Sequence, residues 1–128
     1  MKARIKPFSF IYYGQMPSGK NAVMVTRSGH RYPSKRFAQW KDDAMHQIGP
    51  CGVPFTGPCA IDIDYYPGDK IRRDAPGIQD ALFHVLEKLN VVLDDAQFKH
   101  VRYSELGVDK KLPRCVVSIW PWKEAGSN

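Results

Sequence analysis

The chain has 128 residues with the apolar and charged fractions of an ordinary globular protein, which favours a single domain over residues 1–128. No apolar run approaches the ~20 residues that a membrane-spanning helix needs, no clear cleavage site follows the basic N-terminus, and the three cysteines form no C-x-x-C pair. These features argue against a membrane helix, a signal peptide, a disulfide framework and a cysteine zinc site, and we expect an intracellular, cytoplasmic protein.

The first part of the chain predicts a strand, a loop and a helix. Residues 4–14 are rich in aromatic and β-branched residues and predict a strand that ends at Gly14. Residues 15–34 contain two Ser-Gly turn signals and predict a long loop with room for a short hairpin. Ser34 is placed to cap a helix over residues 35–48.

The remainder predicts a strand, a second helix and two closing strands. Residues 59–67 alternate in polarity, as in a half-buried strand, and apolar residues then recur with helical spacing from Ile78 to Leu89. Residues 100–109 and 114–122 predict two strands that pair with each other in antiparallel fashion. The order β-α-β-α-β-β indicates an α/β (α+β) domain, with a mixed sheet packed against two helices.

Charge is distributed unevenly along the chain. Residues 1–73 carry twelve Lys/Arg and five Asp/Glu, residues 74–98 carry one Lys and five acids, and residues 99–128 carry six Lys/Arg and three acids. The basic excess suits a polyanion such as nucleic acid, although a merely soluble basic surface would give the same total. Bare carboxylates repel phosphate, so the acidic segment favours a divalent cation held between carboxylates and phosphate.

The carboxylates flank the second predicted helix. Asp74 precedes its start, and Asp94 and Asp95 follow its end. Taken singly, these residues are explained as a helix cap and a polar turn. If the returning segment packs beside the start of the helix, Asp74 and Asp95 meet. Mg²⁺ in proteins is commonly held by one or two carboxylates together with water and substrate phosphate, so such a meeting would form a magnesium site.

Residues 72–97 resemble the core motif of the RusA-type Holliday junction resolvases. In that family an R-x-D-x-D-N segment opens a helix, a lysine follows three residues after the Asn, and D-D-x-Q lies beyond the helix. Here residues 72–74 (Arg-Arg-Asp) and 94–97 (Asp-Asp-Ala-Gln) match without insertion, and looser matches to two loop motifs occur at 14–20 and 29–33. The resemblance implies a homodimeric, Mg²⁺-dependent endonuclease, with Mn²⁺ as a possible substitute, that cuts four-way DNA junctions in recombination and repair. Such enzymes are common in phages and prophages.

The chain departs from the family motif at three positions. Pro76, Gly77 and Asp80 stand where the family has its second aspartate, its asparagine and its lysine. One interpretation is a degenerate site that binds junctions without cutting them. The other is a relocated carboxylate, because position 80 lies one helical turn from position 76 on the same face. We favour the relocated carboxylate, since the missing and the new acid occur together.

The resemblance and the charge pattern together predict the site residues. Asp74, Asp80 and Asp95 are predicted to bind one or two Mg²⁺ ions and to be catalytic, with Asp94 as a further ligand. Lys20 or Lys99 would replace the missing lysine and stabilise developing charge. Cations predicted to contact the DNA backbone are Arg72, Arg73, Lys20, Arg27, Arg31, Lys99 and Arg102.

Two other functions remain open from the sequence. The first is a catalytically degenerate protein of the same fold that binds junction or duplex DNA. The second is a plain interaction domain in which the acids are only caps and turns. For the nuclease we expect a two-fold symmetric homodimer, because a four-way junction is itself two-fold symmetric.

Overall fold

The computed structural model describes residues 5–17 and 23–123 and confirms the predicted α/β class. A mixed four-stranded sheet packs against two helices, and a separate two-stranded hairpin lies within the loop predicted over residues 15–34. None of the described helices has the length and apolarity needed to cross a bilayer. The elements are β1 Phe8–Tyr13, β2 Val23–Val25, β3 Arg31–Pro33, α1 Lys35–Ile48, β4 Cys59–Tyr66, α2 Ala75–Lys88, a 3₁₀ helix Asp95–Gln97, β5 Phe98–Glu105 and β6 Arg114–Pro121.

The sheet order is β1-β6-β4-β5, with β4 and β5 parallel and the other pairs antiparallel. The prediction that the last two strands pair with each other is therefore wrong, because β6 lies between β1 and β4. The segment after β5 crosses the end of β4, where the Leu106 N–H donates to the Tyr65 carbonyl and the Asp109 N–H to the Pro67 carbonyl. β6 buries alternate residues and takes a central position, whereas the largely exposed β5 takes an edge.

The predicted helix over residues 35–48 is confirmed with the predicted cap. The Ser34 Oγ accepts a hydrogen bond from the Phe37 N–H at 3.0 Å, which satisfies one of the unpaired donors of the first turn. Trp40 and Ala44 are buried on the face that packs against β1, and the Trp40 ring meets Tyr12 edge to face. This apolar stripe holds α1 on one face of the sheet.

β4 and α2 form the part of the fold that positions the site. Ile61, Ile63 and Tyr65 of β4 are fully buried, as their alternation predicts, and the helical stripe from Ile78 to Leu86 packs into the same core. Since β4 and β5 are parallel neighbours, α2 must run back along the sheet between them. The start of α2 therefore lies at the carboxyl end of β4, and its end lies where β5 begins.

Candidate metal centre

Three carboxylates converge where α2 ends and β5 begins. Glu87 lies in the last turn of α2, and Asp94 and Asp95 lie at the start of the 3₁₀ helix. One oxygen from each of the three lies within 4.8 Å of the others. The Asp95 N–H donates to Glu87 Oε1 at 2.8 Å and joins the two segments. We call Glu87, Asp94 and Asp95 the acidic cluster.

Gln97 fixes the segment that carries two of these acids. Its side-chain oxygen accepts hydrogen bonds from the N–H groups of Leu93 and Asp94, at 2.8 and 3.0 Å. Its amide nitrogen donates to the carbonyls of Phe55 and Gly57, at 2.8 and 2.9 Å. The last residue of the D-D-x-Q motif thus ties the acidic cluster to the loop that precedes β4.

Backbone donors also orient the carboxylates themselves. Asp94 Oδ1 accepts from the Ala96 N–H at 2.8 Å, in a capping box with Gln97. Glu87 Oε1 accepts a hydrogen bond from the Asp95 N–H. Each of these two acids has a second oxygen, so both can meet a cation while they keep their hydrogen bonds. Several carboxylate oxygens at one place form the donor set that Mg²⁺ and Mn²⁺ prefer, and the cluster fits such an ion.

The electrostatics of the acidic cluster are those of crowded like charges. Burial raises the pKa of Asp95, and the charges of Glu87 and Asp94 raise this pKa further. The charge of Asp80 makes a smaller contribution in the same direction. Asp80 and Glu87 are seven residues apart, nearly two full turns, and so face the same way on α2.

Asp74 lies at the other end of α2. It occupies the N-cap position without a side-chain capping hydrogen bond, and α2 has 14 residues, which places Asp74 about 20 Å from the last turn along the axis. β4 gives a second measure, because its 8 residues span about 25 Å between the same two ends of the sheet. The expected meeting of Asp74 and Asp95 therefore does not occur within one chain, since α2 separates them.

Two of the predicted DNA contacts already have protein partners. Arg73 forms an ion pair with Asp69, and its guanidinium lies 5.7 Å from the centre of the Tyr65 ring. Arg102 contacts Asp62 and Asp64 on the face of the sheet opposite the helices, at 3.1 and 3.4 Å. Their charges are thus partly balanced within the protein.

The other predicted cations differ in position. Arg72, Arg27 and Arg31 are exposed, and Lys20 lies outside the described residues. Lys99 is exposed at the start of β5 and lines a shallow pocket of about 270 Å³ together with Asp94. Of the two lysines predicted to assist catalysis, Lys99 is thus placed beside the acidic cluster.

Four apolar residues near the end of α2 belong to the core or pack against it. Val91 and Val92 are fully buried, Phe98 is 9% exposed, and Phe83 stacks on Phe98 with a ring separation of 4.8 Å. They form the part of the hydrophobic core that lies next to the end of α2. β5 is an edge strand of the four-stranded sheet, and Val101 on this strand is 40% exposed.

Sequence reasoning missed Glu87 as a site residue. The sequence did contain a signal for Glu87, because this residue follows Asp80 by seven positions and so lies on the same face of the predicted helix. A search limited to matches with the family motif passes over it. Comparisons of the chain with protein-family models and with curated protein sequences found no match.

Proposed function

We propose that the protein is a Mg²⁺-dependent endonuclease that cuts branched DNA, with four-way junctions as its substrate, as the resemblance to RusA-type resolvases implies. The observation that carries the proposal is the acidic cluster. Its aspartates come from the D-D-x-Q motif and meet a glutamate from the preceding helix. A metal-dependent hydrolase that acts on phosphodiesters uses such a set of oxygen ligands together with cations that contact the backbone.

The residues of the acidic cluster would hold the ion, and Asp80 would add charge beside it. A bound Mg²⁺ would polarise the scissile phosphate and lower the pKa of a coordinated water. Lys99, which lines the shallow pocket together with Asp94, would stabilise negative charge on the phosphate. Gln97 holds the two aspartates in position through its four backbone contacts.

We extend the proposal to a two-fold homodimer in which Asp74 serves the site of the other subunit. β5 is an edge strand, and an antiparallel pair of β5 strands would set the Phe98 end of one beside the Glu105 end of the other. The Phe98 end carries the acidic cluster, and the Glu105 end lies where α2 begins at Asp74. In such a dimer Asp74 would approach Asp95 of the partner subunit.

The charges at the two ends of β5 suit this pairing. Lys99 lies near one end and Glu105 is at the other, and both are exposed. Antiparallel pairing would set each lysine near the partner's glutamate and so favour the proposed register. An unpaired strand edge also exposes backbone donors and acceptors that a second strand can satisfy.

Cleavage of a synthetic four-way junction tests the proposal. We expect cutting with Mg²⁺ and none with a chelator, and little cutting of a linear duplex of the same sequence. Asp95→Asn should abolish cutting and keep junction binding, because the fold and the basic residues remain. Asp42→Asn is the matched control, since it removes an exposed aspartate on α1 outside the cluster.

Binding without cutting at any Mg²⁺ or Mn²⁺ concentration would instead establish the alternative of a degenerate DNA-binding protein. Pro76 and Gly77, which replace the family's acid and amide, are the observation that favours this alternative. Unchanged binding and cutting in Asp95→Asn would exclude the metal centre from either function.

A further inference from the structure

A second pocket lies at the beginning of α2, at the opposite end of the sheet from the acidic cluster. The segment after β1, the first turn of α1 and the residues leading into α2 meet there and enclose about 220 Å³. Three arginines and one aspartate line it, together with apolar side chains. We call it the arginine pocket, defined by Arg36, Arg72, Arg73, Asp69, Phe37 and Ile78.

One arginine and the aspartate form the fixed wall of this pocket. Arg73 donates to Asp69 and to the carbonyl of Ile71 at 2.7 Å, and its side chain is only 12% exposed. Gln15 donates to the other Asp69 oxygen at 3.2 Å. The hydrogen bond from Arg73 lowers the pKa of Asp69, with a further contribution from the Ile71 N–H. This pair is internally balanced and leaves little charge for a ligand.

The remaining two arginines supply the unbalanced charge. Arg36 and Arg72 are exposed and form no ion pair within the described residues, 5–17 and 23–123. They approach the pocket from two different elements, the first turn of α1 and the segment before α2. Two guanidinium groups at one opening are a common arrangement for binding a phosphate group.

The inner side of the pocket is apolar. Ile78 is buried and Phe37 is half-buried. The Phe37 ring also contacts the rings of Trp40 and His84, at separations of 5.8 and 6.1 Å. Inorganic phosphate would meet only the arginines. A ligand that carries both a phosphate and a flat apolar ring would use the whole pocket.

We infer that the arginine pocket binds one unpaired nucleotide of the DNA substrate, with its phosphate between Arg36 and Arg72 and its base against Phe37. This inference rests on the proposed action on branched DNA. An unstacked base can reach an aromatic side chain, whereas a base in a continuous duplex cannot. The pocket would therefore favour DNA with unpaired nucleotides at a branch over linear duplex.

Titration with deoxyadenosine monophosphate in the presence of a chelator tests the inference separately from cleavage. We expect amide NMR shifts at Phe37 and Ile78, and binding about tenfold weaker in either Arg36→Gln or Arg72→Gln. Phe37→Leu should weaken the binding of this nucleotide and leave the binding of inorganic phosphate unchanged. Lys35→Gln is the matched control, because Lys35 is an exposed cation next to Arg36 that does not line the pocket.

The same variants should lose preference for a junction with unpaired nucleotides over linear duplex, while Lys35→Gln keeps it. No shifts at Phe37 and Ile78, together with an unchanged preference in both arginine variants, would overturn the inference even if the junction is cut. Nucleotide binding that depends on Arg36 and Arg72 in a protein that cuts nothing would uphold the pocket and overturn the nuclease. Thermal unfolding of each variant establishes that the substitutions leave the fold intact.

Discussion

The two ends of α2 carry opposite chemistry. At its end, the acidic cluster crowds three carboxylates, and the pKa of Asp95 is raised. At its beginning, Asp69 and Arg73 balance each other, while Arg36 and Arg72 provide excess positive charge. About 20 Å of helix separates the two ends. One end has an excess of negative charge and the other an excess of positive charge, and DNA with its divalent counterions, the partner that we propose, would match both.

The comparison also shows why a matched motif is not yet a site. Residues 72–74 belong to the arginine-rich end and residues 94–97 to the acidic end. The helix that joins the two halves of the motif also holds them apart. For the motif to be functional as a whole, either a second chain would have to bring its two halves together or the two halves would need separate roles.

The largest expected effect comes from removing charge from the acidic cluster. Glu87→Gln keeps the oxygen that accepts from the Asp95 N–H and removes only the charge. We expect junction cleavage to fall by at least about 100-fold, because an ion ligand is lost. Cleavage rates at saturating junction measure this, with Asp42→Asn as the control. A Glu87→Gln protein of wild-type rate would show that Glu87 binds no catalytic ion.

Mixing inactive variants tests the dimer. Asp74→Asn and Asp95→Asn proteins should each be inactive. Their mixture forms heterodimers with one intact site of two, and so should recover about a quarter of the wild-type nicking rate. If Asp74 and Asp95 served the same site within one chain, every site in the mixture would carry a substitution and no activity would return.

Asp80→Asn tests the relocated carboxylate. The charge of Asp80 reaches Asp95, so we expect at least about a tenfold weaker apparent Mg²⁺ affinity in cleavage and unchanged junction binding. A Mg²⁺ titration of the cleavage rate measures the change. A fully active Asp80→Asn enzyme with unaltered Mg²⁺ dependence would remove the relocated ligand and leave Asp80 as an ordinary surface residue.

Replacing Gln97 should destabilise the segment that carries the acidic cluster and leave the arginine pocket unchanged. Gln97→Ala removes four hydrogen bonds to backbone groups and should lower the free energy of unfolding by about 1–3 kcal/mol. Chemical denaturation measures the loss. Nucleotide binding at the arginine pocket should be unchanged, and a loss there would contradict the independence of the two ends.

The smallest expected effect is the pH dependence of the free energy of unfolding of the metal-free protein. Asp95 has a raised pKa in the folded state, so it becomes protonated as the pH falls through that value and its repulsion with Glu87 and Asp94 weakens. The folded state therefore gains stability from this group as the pH is lowered. Asp69 and Asp109 have lowered pKa values, so the stability they contribute is lost as the pH falls through those values. Asp95→Asn should remove the gain in stability at low pH that comes from Asp95. The loss of stability that comes from Asp69 and Asp109 should remain. Thermal unfolding between pH 3 and 7 would measure both effects.

If the acidic cluster binds a metal ion as proposed, proton competition should weaken that binding. The raised pKa of Asp95 means that protons displace the ion at a higher pH than for an isolated aspartate. Mn²⁺ affinity measured by calorimetry should therefore decline as the pH is lowered from neutral towards that pKa. An affinity independent of pH over this range would place the ion elsewhere.

Local patterns in the sequence determined most of the elements. The alternation of residues 59–67, the helical spacing from Ile78 to Leu89 and the Ser34 cap each depend on neighbours in the chain, and each is confirmed. The same patterns identified the strands of the sheet and the two helices, whereas the D-D-x-Q segment was identified by its resemblance to a family motif. Periodicity of this kind reports which residues are buried, because burial in a helix or strand repeats at short range.

The tertiary structure decided which elements are neighbours. Only the fold shows that β6 lies between β1 and β4, that Asp95 meets Glu87, and that Asp74 lies an entire helix away. Strand order and the direction of a crossover depend on long-range hydrogen bonds and on packing of the whole core, which leave no periodic trace in the sequence. For that reason Asp94 and Asp95 were identified from the sequence, and their partner Glu87 was not.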